Sequence, residues 1–156
     1  MQNLKTQNLV NNALLASLYV ALTLINPISS GMFQFRVSTL LVPVPFYQPK
    51  LAPGILFGVM ISNIFSPLGP IDILSGFLIQ SVTLYVFNRL FKSAYIKSIA
   101  YGIWCGIVVG ATLHYAVGAP FWVSAFSVAI SNIVVAIFGT LIIEKKLSSL
   151  IKKIAY

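Results

Sequence analysis

The sequence predicts an all-α integral membrane protein: one compact bundle of six transmembrane helices, the second of them short or broken. Three observations carry this. Of 156 residues, 58% are hydrophobic and 8% are charged, where a water-facing domain of this length holds about a quarter charged residues. The mean hydropathy is +0.94. The basic residues fall near the ends of apolar segments rather than on one surface with aromatics, which points to phosphate headgroups and cytoplasmic loops and away from nucleic acid. Residues 1–156 leave room for a single domain.

The elements follow from length. A span needs about 20 apolar residues, because 1.5 Å per residue must cover about 30 Å. The first apolar segment, 10–28, follows the polar "MQNLKTQN" and lacks a small-residue cleavage site, so it reads as a retained span. Next comes "VSTLLVPVPFY", too short to span straight and broken by Pro43 and Pro45. Irregular backbone of this kind is tolerated at membrane depth only when packed inside protein. Segment 51–66 is slightly short and carries Pro53 in its first turn, where proline is tolerated. Segments 71–91, 97–117 and 120–143 are full spans, and the tail "EKKLSSLIKKIAY" extends the last one.

Charge orients the bundle. With six spans, nine of the ten basic residues share one side and Arg36 stands alone on the other. A five-span arrangement gives the same ratio, so the positive-inside rule does not separate the two. Lys5 before the first span favours six, with both termini cytoplasmic.

Asp72 is one of two acidic residues and follows the break "FSPLGPID". Pro70 reads as the first residue of a helix, so one role for Asp72 is to sit in a first turn, where the helix dipole favours a carboxylate. Pairing with Arg36 is a second role, and contact with a ligand a third. Asp72, Gly76, Gln80 and Thr83 share a helical face, and Asn63 precedes the break. With Arg36, His114 and Asn132 they make a possible outward-facing polar set, backed by Phe35, Phe65 and Trp122. Hydrogen-bonding groups with aromatic backing suit a flat, polar-edged small molecule better than an ion. Each also has a structural role open to it: Asn132 can bond another helix, and Gly102, Gly106 and Gly110, in the row that ends at His114, can admit a close helix. Ala13, Ser17 and Ala21 form a stripe of small residues on the first span, suited to packing within the bundle or against another membrane protein.

Catalysis finds little support. The chain has no Gly-rich loop ending in Lys-Ser or Lys-Thr. One histidine and the lone Cys105 make no zinc or haem ligand set. The reading is a non-enzyme without cofactor or metal, in which any energy for transport comes from another subunit or an ion gradient.

"QFRVSTLLVPVPFYQP", "ISNIFSPLGPIDILSGFL" and "GAPFWVSAFSVAISN" together resemble the queuosine-precursor transporter (QueT-like) family, S components of energy-coupling factor transporters. The resemblance runs along most of the chain. It implies a six-helix protein of the bacterial cell membrane that captures a micronutrient of the 7-deazaguanine type from outside. It then docks on a membrane T subunit bearing two cytoplasmic ATPases. The small residues Ala13, Ser17 and Ala21 match the docking feature of such components. Arg36, Thr39, Asn63, Asp72, Gln80, His114, Trp122 and Asn132 are the candidate ligand-binding residues. Thr39 and Asn132 stand where the family pattern carries glutamates, which leaves Asp72 as the one carboxylate for that side. Another vitamin, a purine-like base, or a non-transporting structural subunit are the alternatives.

Overall fold

A computed structural model describes residues 2–25, 37–47, 49–66 and 69–147. Six helices follow one another, and no strand occurs among the described residues. They are α1 (Gln2–Ile25), α2 (Val37–Tyr47), α3 (Pro49–Ile64), α4 (Pro70–Leu90), α5 (Ala94–Val117) and α6 (Phe121–Lys145). Four of them, α1, α4, α5 and α6, are long and apolar enough to cross a membrane.

The second helix is short and irregular, as its prolines require. It opens as a tight 3-10 stretch, Val37–Leu41, turns at Val42 and Pro43, and closes as one α-turn, Val44–Tyr47. Pro43 and Pro45 are fully buried. The missing proline N–H groups therefore face protein, the one setting at this depth that accommodates them.

Glycine and proline set the turns at one end of the bundle. Gly69 has φ +60°, a value that favours glycine, and Pro70 follows it as the first residue of α4. Helix α5 ends at Gly118 with φ +72°, its N–H bonded back to the His114 carbonyl at 3.1 Å.

Side-chain bonds fix the helix directions. Asn12 Oδ1 accepts from the Gly54 N–H at 2.8 Å, and Gly58 packs against Ala16 and Tyr19, so α1 and α3 run parallel. Thr23 Oγ1 donates to Ser38 Oγ at 2.7 Å, which starts α2 beside the end of α1. Tyr95 donates to Glu144 at 2.5 Å, and Ser98 and Thr140 meet at 2.8 Å, so α6 returns antiparallel to α5. Gln2 and Leu147 consequently lie at the same end of the bundle, opposite Gly69 and Gly118. Lys5, Lys50, Arg89, Lys92, Lys97 and Lys145 share that end with them.

The α5–α6 seam is the closest. A methyl group on Gly106 would come within 2.5 Å of the Ala125 carbonyl oxygen, and one on Gly102 within 2.2 Å of Ile133. The glycine row therefore brings backbone against backbone, where dispersion contacts hold membrane helices together. Polar side chains share the interior with an apolar core, and the outside is oily: Ser38, Thr39, Gln80, Thr83, Asn132 and Thr140 are buried beside Tyr19, Ile55 and Val128, while Leu9, Leu74, Phe126 and Phe138 are exposed. A protein in water would hide the second group; in a bilayer it faces acyl chains.

Candidate functional site: a polar cavity between three helices

The break before α4 places two side chains first. Ser66 Oγ donates a very short hydrogen bond to Asp72 Oδ2, and Asn63 Nδ2 donates to the Asp72 backbone carbonyl at 2.8 Å. Asp72 is thereby held in the first turn of α4, where the helix dipole favours its charge. It is buried, 6% exposed, so the turn aims the carboxylate inward.

That direction leads into a cavity of about 20 Å³ between α3, α4 and α5, closed on its fourth side by Tyr19 of α1. Asn63, Asp72, Ser75, Gln80, Tyr101 and Cys105 supply its polar lining. Gly76 opens the space: a methyl group there would lie 2.3 Å from Asn63 Nδ2. Gln80 is 2% exposed and its Oε1 has no hydrogen-bond partner. Among the described residues, Trp104 Nε1 and Ser124 Oγ are also buried without partners, but only Gln80 of the three lines this cavity.

A buried polar atom left unpaired costs about 1–3 kcal/mol. Native structures keep such atoms at sites of use, or give them water. The cavity volume is that of about one water. In this conformation it is a small hollow in which polar groups are set among apolar side chains such as Val59, Ile79 and Val109. Asp72 and Gln80 lie eight residues apart on one face of α4, so they sit at depths about 12 Å apart. Together they offer a carboxylate near the Gly69 end and a carboxamide deeper in.

The structure thus brings Asn63, Asp72 and Gln80 together out of the eight residues read as ligand-binding. It sends others elsewhere. Thr39 Oγ1 donates to Asn132 Oδ1 at 3.0 Å, and Asn132 Nδ2 donates to the Val128 carbonyl at 2.9 Å. These two join α2 to α6 and do not line the cavity, because each satisfies the other. His114 is exposed, with Nδ1 3.0 Å from the Ala119 carbonyl and its ring edge-on to Tyr115. Trp122 is 69% exposed and stacks on Phe126. Neither lines the cavity. Arg36, with Phe35, lies outside the described residues. Tyr19, Ser75, Tyr101 and Cys105 are the polar lining residues that the sequence reading missed, and Val59, Ile79 and Val109 the apolar ones. The spacing of Tyr101, Cys105 and Val109 along one face of α5 is the signal that could have found the three α5 contacts. Among the described residues no three metal-ligating side chains come together.

The family model described as QueT transporter matches residues 9–148, nearly the whole chain. The chain belongs to the QueT transporter family. Within that family it is 33% identical over 137 residues to the queuosine precursor transporter QueT of Lactococcus lactis subsp. cremoris (strain MG1363). The alignment covers 83% of this chain and 75% of the relative. No solved structure matches. Membership accounts for the oily exterior: this QueT-family chain is a membrane transporter, and the cavity lies in the part of the bundle that the family match covers.

Proposed function

We propose that this chain is the substrate-binding subunit of an energy-coupling factor importer, and that it captures a queuosine precursor of the 7-deazaguanine type in the cavity between α3, α4 and α5. The observation that carries the ligand site is Gln80 Oε1, buried and unpaired in the cavity that the inward-facing Asp72 also lines. A guanine-like edge presents adjacent N–H donors and a carbonyl acceptor. A carboxylate accepts from the donors, and a carboxamide can both accept and donate. The name borne by the Lactococcus relative supports the same ligand class.

The Lys5 and Lys97 end of the bundle is cytoplasmic in this reading, by the positive-inside rule. The cavity then lies toward the outer face. Docking on a T subunit with two ATPases draws support from α1. Ala13, Ser17 and Ala21 are all exposed, so the stripe is not spent on packing inside the bundle. Beside it, a groove of about 480 Å³ runs between α1 and α3, lined by Asn12, Ala13, Ala16, Gly54 and Phe57.

Mass spectrometry of small molecules that co-purify with the protein tests the reading. The expected result is a 7-deazaguanine-type base in stoichiometric amount. A different vitamin would replace the ligand class, and a pull-down that brings neither T subunit nor ATPases would remove the importer assignment.

A further inference from the structure

A second hollow lies on the other side of Ser75. Between α4 and α5 a cleft of about 480 Å³ opens toward the surroundings, walled by Ile71, Leu74, Leu78, Ile107, Ala111 and Tyr115. Its volume is in the range of small-molecule sites, whereas the polar cavity behind it has room for about one water. Ser75 lines both spaces. The partition includes the contact of Ser75 Oγ with Thr112 Oγ1 at 2.8 Å.

That partition is cheap to open, as counting protons shows. Ser75 Oγ also lies 2.8 Å from the Ile71 carbonyl, and Thr112 Oγ1 2.8 Å from the Val108 carbonyl. Two hydroxyl protons therefore face three contacts. If the helices part, each proton falls to a carbonyl on its own helix, and no hydrogen bond is lost on balance. The α5–α6 seam, with carbonyl oxygen against glycine, has no comparable slack.

We propose that the α4–α5 seam opens at the Ser75–Thr112 pair and joins cleft and cavity into one site. The apolar cleft then takes the flat ring of the ligand while Asp72 and Gln80 meet its polar edge. The ligand in this statement rests on the function proposed above; the opening does not.

Cys105 is a built-in reporter, because it lines the cavity, is buried and is the chain's one cysteine. N-ethylmaleimide should alkylate it in the purified wild-type protein. In Ser75→Cys/Thr112→Cys, oxidised to a disulfide, Cys105 is again the one free thiol. Its alkylation should then be at least about tenfold slower, because opening costs at least about 1.4 kcal/mol more, and reduction should restore the rate. Where the disulfide does not form, Ala111→Trp, which fills the cleft, should slow alkylation in the same way. Equal rates in bridged and reduced protein, or a wild-type Cys105 that never reacts, would overturn the seam. Saturating 7-deazaguanine should protect Cys105. Alkylation that is gated by the seam yet indifferent to this base would refute the ligand and leave the opening intact.

Discussion

Asp72 has one role at the start of α4 and a second in the proposed function, and a single substitution can separate them. One is to stabilise the start of α4, worth a few tenths of a kcal/mol to about 1 kcal/mol. The other, in the proposed function, is to accept N–H bonds from the ligand, and charge-assisted bonds of this kind are about twice as strong as neutral ones. Asp72→Asn keeps the size and one acceptor but turns the second oxygen into a donor, against the donors of the ligand. Binding of 7-deazaguanine should weaken by about 10- to 150-fold, corresponding to about 1.5–3 kcal/mol, with little loss of folded protein. A small drop in melting temperature with unchanged affinity would assign Asp72 to the helix start alone. Asp72 was legible in the sequence because a carboxylate beside a proline break in an oily chain has few reasons to be there. Asn132 was legible as a polar residue at membrane depth and Thr39 as a candidate through the family resemblance, but neither as the other's partner. A polar group at membrane depth needs some partner, and its type does not say whether that partner is a ligand or the next helix. The contact between residues 93 positions apart, at 3.0 Å, comes from how α2 is inserted, which only the folded chain shows.

At the scale of helices, two small-residue rows look alike in sequence, yet one packs inside the bundle and the other is exposed. The row Gly102, Gly106 and Gly110 faces α6, where the backbone of Ala125 and Ala129 leaves no room for side chains. Gly106→Val should cost about 1–3 kcal/mol or more through overpacking, read as a lower melting temperature in detergent; an unchanged melting temperature would show that the seam can relax. The row Ala13, Ser17 and Ala21 faces outward. Ala13→Trp or Ala21→Trp should weaken assembly with a T subunit while ligand affinity stays near wild type. Loss of ligand binding with assembly intact would return the stripe to internal packing. The four long spans were legible from apolar length, and α2 was legible as broken from its prolines. The facing of each row was not, because four-residue spacing names a helix face without naming the neighbour.

At the scale of the whole molecule, the charge distribution and the helix count meet. Six helices place both ends of the described chain at the lysine-rich end, and in the orientation proposed from the positive-inside rule that end is cytoplasmic. Gln34→Cys, beside Arg36, in a Cys105→Ala background should react with an impermeant thiol reagent on intact cells. Reaction only after lysis would invert the bundle. The central claim is that the hole between α3, α4 and α5 exists for a ligand, and Gln80 tests it most directly. An unpaired buried acceptor weakens the empty protein, so an apolar residue of similar shape should relieve that cost of about 1–3 kcal/mol. Gln80→Met, titrated with 7-deazaguanine alongside its melting curve, should therefore melt higher than wild type when empty and bind at least about tenfold more weakly. A higher melting temperature with undiminished affinity would contradict the claim and leave the cavity a packing defect.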